Sequence, residues 1–357
     1  MRPARLIPLV AVAHGSKDPR AAATVTALAA AVRDRAPGVD VRTAFLDHCA
    51  PSLPQALAAL APGDAPDDVT TQCVALPLLL TAAYHSKSDI PAQLAAAVAA
   101  HPCLDVVSAS PLGPHPLLVA ALERRLREAG VAVDSPAERA ATSVVLAAAG
   151  SSDPGANATI AALASQWARE RGWQAVVPAY ASAAGPRPAA AVTSLRAAGA
   201  ARVVVATYLL APGYFADKIR DGALGAGAAA VSGVLGAAPE VADVVLHRYR
   251  AAVAGLAAQS IVARAQLSVQ QGCDFPVRNS LHRGKPSWNG CTAHGRAAHK
   301  PNAVGSLVRS EGLTVVRRPI AHLARCRVPA WRDVGWVGYE LRPVLRGRRA
   351  SAALPVR

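Results

Sequence analysis

Two histidines and an aspartate directly follow predicted strands, where they could bind a metal ion together. His14 ends the apolar run VAVAH, Asp47 lies in AFLDHCAPSL, and His85 lies in LLLTAAYHSKSDIP. In an open parallel sheet the carboxyl ends of neighbouring strands open into one crevice, and ligands bind there. Imidazole and carboxylate groups suit borderline divalent ions such as Co²⁺, Fe²⁺ and Ni²⁺. These residues therefore predict a metal site with open coordination positions, in which a neutral histidine also accepts protons near physiological pH.

Each of these residues also has a structural interpretation. A single histidine at a strand end often caps or packs, and an aspartate after a strand often only supports a turn. The shared position of His14 and His85 at one sheet edge favours the metal site for both. Three other histidines are predicted to be structural: His48, His101 and His115.

Polar residues beside the two predicted ligands suggest a rim for an acidic substrate. Lys17 and Lys87 follow the histidines closely and could hold carboxylates, or could simply be solvated surface lysines. Ser16 could donate a hydrogen bond at the same rim. Asp18 and Asp89 precede prolines, which predicts that each is the N-cap of a helix.

An internal repeat organises most of the chain. VAVAHGSKDP (residues 10–19) matches VLAAAGSSDP (residues 145–154) at an offset of 135, and LPLLLTAAYH (residues 76–85) matches ATYLLAPGYF (residues 206–215) at an offset of 130. Ordered matches at a nearly constant offset predict two copies of one structural unit.

The pattern within the first copy predicts the α/β fold class. Short apolar runs alternate with helical patterns, which is typical of a parallel sheet covered by helices on both faces. The predicted strands are residues 7–13, 39–45, 70–80 and 104–108, and the predicted helices are residues 21–35, 52–60, 90–100 and 115–129. The predicted domains are an N-terminal lobe (residues 1–130), a linker (131–142), a C-terminal lobe (143–258) and a tail (259–357).

The charge of the chain is concentrated in the predicted tail. Residues 1–258 contain 21 basic and 19 acidic residues, whereas residues 259–357 contain 17 basic and 4 acidic ones. Because the lobes are nearly neutral, nucleic acid is disfavoured as a partner of the protein as a whole. The tail is predicted to be a disordered basic extension or a shifted reading frame. The alternatives are a nucleic-acid or membrane-surface tail, or a zinc module using Cys273, Cys291, His294 and His299.

Cysteine usage and hydropathy predict a cytoplasmic protein without a membrane partner. The six cysteines form no CxxC motif, and Cys49, Cys73 and Cys103 fit buried free thiols in a reducing compartment. The apolar run near the N-terminus is interpreted as the first buried strand rather than a signal peptide. Residues 223–238 are the longest weakly polar stretch, and this is short for a membrane span.

The motifs HGSKDP, AFLDHCAPSL and PLLLTAAYHSKSDIP, in this order, resemble those of the sirohydrochlorin chelatases of the CbiX/SirB type, which are class II chelatases. The resemblance covers residues 6–255. It implies two α/β lobes around a cleft and insertion of Co²⁺ or Fe²⁺ into sirohydrochlorin, for cobalamin or siroheme. It also implies that His14 and His85 bind the metal and accept protons, and that Asp47 occupies a position where many members have Glu. The metal is then a substrate, so no tightly bound cofactor is expected.

The second copy departs from this pattern at all three positions. Ala149, Ser182 and Phe215 replace His14, Asp47 and His85. We therefore expect one active site, in the N-terminal lobe, with the C-terminal lobe closing the cleft. Four residues of that lobe could contact the tetrapyrrole, Tyr180, Tyr208, Tyr214 and Lys218, and core packing explains the three tyrosines equally well. The fused copies favour a monomer.

Two other functions compete with a chelatase. A metal or tetrapyrrole carrier on the same fold would bind without turnover. A phosphohydrolase using His14 would be expected to have an arginine before the histidine, and Ala13 stands there instead.

Overall fold

Two parallel sheets form the framework that presents the candidate site. The computed structural model describes residues 6–61, 70–81, 89–271 and 314–315. The first sheet has the order β2-β1-β3-β4 and the second the order β6-β5-β7-β8, so the two copies repeat one topology. The strands are Leu9–Ala13 (β1), Val41–Phe45 (β2), Thr71–Pro77 (β3), Leu104–Ser108 (β4), Thr142–Ala148 (β5), Ala175–Tyr180 (β6), Arg202–Tyr208 (β7) and Ala230–Val231 (β8). A two-residue strand, Thr314–Val315 (β9), pairs antiparallel with β4.

Helices follow nearly every strand, as the predicted α/β fold requires. They are Pro19–Arg35 (α1), Leu53–Ala58 (α2), Ile90–Ala100 (α3), Pro116–Glu128 (α4), Pro136–Ala140 (α5), Pro154–Arg171 (α6), Pro188–Ala197 (α7), Tyr214–Gly225 (α8) and Pro239–Gln271 (α9). Six of these helices begin with proline, whose fixed φ and missing N–H suit the first helical position. The predicted bounds of α3 and β4 match the structure.

The two predicted aspartate caps have different outcomes. Asp18 caps α1, since its Oδ1 accepts a hydrogen bond from the Arg20 amide at 2.9 Å. Asp89 occupies the N-cap position of α3, with Pro91 in the first turn as predicted, but its side chain makes no capping hydrogen bond to the helix. A capping residue normally has extended backbone. Asp89 instead has helical dihedral angles, with φ −69° and ψ −48°.

One hydrophobic core joins the inner faces of both sheets. It includes buried residues of β1 and β5 and of the helices between the sheets, α1, α4, α6 and α9. Smaller cores cover the outer faces, one beneath α2 and α3 and the other beneath α7 and α8. The shared core holds the two lobes together, so residues at the carboxyl ends of both sheets face one cleft.

The predicted domain limits fall on structured segments. The linker, residues 131–142, contains α5, and it buries Val131 and Val133 in the shared core. The predicted start of the tail, at residue 259, lies inside α9. The cysteines and histidines of the predicted zinc module lie outside the described residues. Among the described residues, no helix is long and apolar enough to cross a membrane.

Candidate active site

The ends of β1 and β2 are joined directly beside the candidate ligands. The Asp47 amide donates to the His14 carbonyl at 3.0 Å. Gly15 has a φ of +91°, and a Cβ there would overlap the Asp47 carbonyl oxygen. Only glycine fits this close approach without strain. The structure therefore places His14 and Asp47 on touching loops at the carboxyl edge of the first sheet.

His14 lies where two cavities meet between the lobes. An inner cavity of about 290 Å³ is lined by His14, by residues 78–81 of the N-terminal lobe, and by residues 148–151 and 208–210 of the C-terminal lobe. An outer cavity of about 450 Å³ is lined by residues 14–17 and His48 on one side and by Ala149 and residues 209–216 on the other. His14, Ala149 and residues 209–210 line both cavities.

The His14 ring has a geometry that suits metal binding through one nitrogen. Its Nδ1 lies 3.3 Å from the Gly15 carbonyl oxygen. A proton on Nδ1 that donates to this carbonyl leaves the Nε2 lone pair as the metal-binding or proton-accepting atom. The side chain is exposed and lines both cavities of the cleft.

Asp47 makes its contacts with the next residue. Its Oδ1 accepts from the His48 amide at 2.8 Å, and its Oδ2 lies 3.2 Å from His48 Nε2. His48 adopts a left-handed φ of +61°, which turns the chain back toward the carboxylate. Sequence reasoning assigned His48 a structural role, and the structure adds that it lines the outer cavity. Because the Asp47 side chain is 62% exposed, it remains accessible to a ligand.

The predicted rim residues differ in what they do. Lys17 is exposed and lines the outer cavity. Ser16 supports the loop, since its Oγ accepts from the Asp18 amide at 3.1 Å and its carbonyl accepts from the Cys49 thiol at 3.2 Å. His85 and Lys87 lie outside the described residues, so their roles stay predictions. Within the described ranges, no three His, Cys, Asp or Glu side chains form a metal-binding cluster.

The four residues of the C-terminal lobe that could contact the tetrapyrrole divide into two buried and two exposed residues. Tyr180 and Tyr208 are buried, and their hydroxyls donate to the carbonyls of Asn157 at 2.9 Å and Leu80 at 3.3 Å. Burial raises the pKa of both phenols above the usual value. Both tyrosines are therefore core residues that stay protonated. Tyr214 and Lys218, by contrast, are exposed at the start of α8.

An arginine that sequence reasoning missed links the lobes at the cleft. Arg20 Nη2 lies 2.6 Å from Asp18 Oδ2 and 2.6 Å from Asp217 Oδ2 of α8. The guanidinium lowers the pKa of both carboxyl groups. Since the partners Arg20 and Asp217 are 197 residues apart, no local pattern could have identified the pair.

Comparison with known proteins agrees with this architecture. The CbiX family model matches residues 8–129 and 143–252. The sirohydrochlorin cobaltochelatase of Priestia megaterium is 27% identical over 210 residues, which is 59% of this chain and 66% of that protein. The sirohydrochlorin ferrochelatase of Bacillus subtilis is 28% identical over 149 residues, 42% of this chain and 55% of that protein. The matches thus span less than two thirds of the length of these relatives.

A solved structure has the same fold. SirB from Bacillus subtilis with Fe³⁺ superposes with a TM-score of 0.61 and 23% identity, covering 71% of this chain and 97% of that one. The family match covers both lobes and therefore more than half of the sequence. The chain belongs to the CbiX family, the class II chelatase family that includes SirB.

Proposed function

We propose that this protein is a metal chelatase that inserts Co²⁺ or Fe²⁺ into sirohydrochlorin. The observation that carries the proposal is the position of His14, exposed between two cavities at the carboxyl edge of the N-terminal sheet. The names of the relatives give the same substrate and the same two metals.

His14 has two tasks in this reaction. Its Nε2 first binds the incoming metal ion; once the ion has moved to the macrocycle nitrogens, the same lone pair accepts one of the two pyrrole protons that the ion displaces, and His85 accepts the other. A neutral imidazole suits both tasks near physiological pH. His85 is the predicted second histidine, and Asp47 assists as a ligand or local base. A site with few protein ligands suits a chelatase, because it must release the metal to its substrate.

The cleft combines features that match an amphipathic macrocycle. Leucine and alanine side chains provide much of the inner cavity wall, including Leu79, Ala148 and Leu209. Such a wall suits the face of a tetrapyrrole, which is largely apolar. At the outer cavity, Lys17 supplies a positive charge for the peripheral carboxylates. The substrate can thus present its ring nitrogens to His14 while its acidic groups stay near solvent.

The ligand types do not favour one metal over another. Imidazole and carboxylate groups bind Co²⁺, Fe²⁺ and Ni²⁺, and metal availability often decides which one is used. We therefore leave cobalamin and siroheme synthesis as alternative pathways for the product. A direct comparison of the metals with one enzyme preparation distinguishes them.

The test is anaerobic metal insertion into sirohydrochlorin, followed by visible absorption with Co²⁺ and Fe²⁺ in parallel. Wild type is compared with His14→Ala, His85→Ala and His101→Ala, after subtraction of the spontaneous rate. His101 is the matched control, since it precedes β4 and therefore lies at the amino edge of the same sheet. We expect both cleft variants to lose the metal-dependent acceleration and His101→Ala to retain it.

Two results would contradict the proposal. Equal insertion rates for wild type and His14→Ala would show that His14 takes no part in the reaction. A folded wild-type protein that binds metal but accelerates neither insertion would instead favour the carrier function.

A further inference from the structure

Two adjacent aromatic side chains are exposed on the C-terminal lobe. Tyr214 is 72% exposed and Phe215 is 38% exposed, in a chain whose aromatic content is only 4%. Their ring centroids lie 5.7 Å apart. Large apolar side chains that cluster on a surface often mark a binding site.

The aromatic pair lies across the outer cavity from His14. Tyr214 and Phe215 line one side of this cavity, and His14, Lys17 and His48 line the opposite side. The start of α8 closely approaches the His14 loop, since a Cβ on Gly213 would lie 3.9 Å from Asp18 Cβ and 4.0 Å from Ser16 Oγ. A molecule large enough to fill this cavity therefore contacts both the rings and His14.

Ionic contacts hold the aromatic pair in place. Asp217, one turn along α8, binds Arg20 of the N-terminal lobe at 2.6 Å. Lys218 Nζ lies 5.7 Å from the Tyr214 ring centroid, within cation–π range. The ion pair therefore links the start of α8, which carries the rings, to α1, which begins five residues after His14.

The internal repeat relates one residue of the aromatic pair to a predicted metal ligand. Phe215 stands at the position of the second copy that corresponds to His85 in the first. A predicted metal ligand in one copy is thus an exposed aromatic ring in the other. This ring cannot bind the metal, but it can stack on a flat conjugated molecule.

We propose that Tyr214 and Phe215 contact the tetrapyrrole macrocycle, one ring with its face and the other with its edge because the two ring planes are inclined at 52°, and that Lys17 faces the peripheral carboxylates. This inference rests on the proposed function, because it concerns the substrate of the same site. Stacked and edge-to-face ring contacts supply affinity for a planar conjugated molecule, and Lys17 favours an acidic one. The C-terminal lobe then contributes substrate binding while the N-terminal lobe contributes the metal ligands.

The test measures binding of metal-free sirohydrochlorin, so that it does not depend on turnover. The dissociation constant is obtained from the absorption or fluorescence of the tetrapyrrole for wild type, Tyr214→Leu, Phe215→Leu and Tyr214→Phe. Leu224→Ala is the matched control, because Leu224 is 48% exposed in the last turn of the same helix. Circular dichroism and Co²⁺ binding in the absence of substrate check that each variant keeps its fold and its metal site.

We expect each leucine variant to weaken sirohydrochlorin binding by about 3- to 10-fold, the range for loss of one ring stacking contact. Tyr214→Phe keeps the ring and should weaken binding less, and Leu224→Ala should bind like wild type. Unchanged binding by both leucine variants, with active wild type, would overturn this inference alone. Wild type that neither binds sirohydrochlorin nor inserts metal would overturn the proposed function as well.

Discussion

The loop after β1 and the loop after β5 use the same backbone hydrogen bonds. The His14 carbonyl accepts from the Asp47 amide at 3.0 Å, and the Ala149 carbonyl accepts from the Ser182 amide at 2.9 Å. Gly15 and Gly150 have φ values of +91° and +83°, and a Cβ at either position would overlap the carbonyl oxygen of the opposite loop. The backbone geometry that presents the candidate ligands in one lobe is therefore kept in the other lobe, where those residues are absent.

What differs is how each loop is fastened. In the C-terminal lobe Asn157 clamps the loop, since its Oδ1 accepts from the Ser151 amide at 3.0 Å and its Nδ2 donates to the Ser151 carbonyl at 2.7 Å. Ala22 stands at the corresponding position of the N-terminal lobe and provides no such side chain. There the Ser16 carbonyl accepts from the Cys49 thiol, a weaker donor. The loop without the candidate ligands therefore has two hydrogen bonds with the Asn157 side chain that Ala22 cannot supply in the other lobe.

The largest expected effect is the loss of insertion rate when the histidine is removed from the N-terminal lobe, or is moved to the other lobe. His14→Ala should lower metal-dependent insertion by at least about 100-fold, the scale of a lost acid–base group. The double variant His14→Ala/Ala149→His should stay as slow, because Ser182 and Phe215 provide no further ligands in that lobe. Insertion rates with Co²⁺ and Fe²⁺ measure this. Recovery of activity in the double variant would show that the lobes are interchangeable.

Alanine at the paired glycines tests whether the shared backbone matters equally in both lobes. Gly15→Ala and Gly150→Ala should each lower the free energy of unfolding by roughly 1–3 kcal/mol, because each forces a positive φ and an overlap with a carbonyl. Urea unfolding measures this change. At a temperature where both variants are folded, only Gly15→Ala should also slow insertion, since it displaces His14 and Asp47. Equal loss of activity in both would contradict the assignment of one site to the N-terminal lobe.

Removal of the Asn157 clamp tests how the C-terminal loop is held. Asn157→Ala breaks two hydrogen bonds to the Ser151 loop, with an expected cost of about 1–3 kcal/mol in unfolding free energy. Hydrogen exchange gives the sharper measurement, since the Ser151 amide should exchange faster. The Asp18 amide of the N-terminal lobe is the internal control. If both amides were unaffected, the clamp would not explain the difference between the loops.

Sequence reasoning predicted the features that depend on local pattern. The repeat offset and the alternation of apolar runs with helices gave the two α/β lobes, which the structure and the family match confirm. The parallel-sheet rule predicted that His14 and Asp47 would lie on neighbouring loops, and their backbone hydrogen bond confirms it. The hydrogen bond from Tyr208 to Leu80 and the ion pair of Arg20 with Asp217 could not be predicted, because each contact joins segments more than 100 residues apart. A tyrosine or arginine at such a position has the same local signal whether it packs, pairs or binds a ligand.

The smallest effect concerns the ion pair that joins the lobes. Arg20 lowers the pKa of Asp217, so this carboxylate contributes stability above its unfolded pKa, and the contribution is lost as the pH falls through the folded pKa. Arg20→Gln should raise the Asp217 pKa toward the ordinary value of about 4. Arg220 and Asp18 also face Asp217, and Arg220 keeps part of the lowering in the variant. NMR titration of the Asp217 carboxyl carbon measures the change, with Arg220→Gln as a control that removes a partner within α8 but keeps the link between lobes. If Arg20→Gln left the Asp217 pKa unchanged, the contact would not join the lobes in solution, and the position of the aromatic pair would have to depend on the shared core alone.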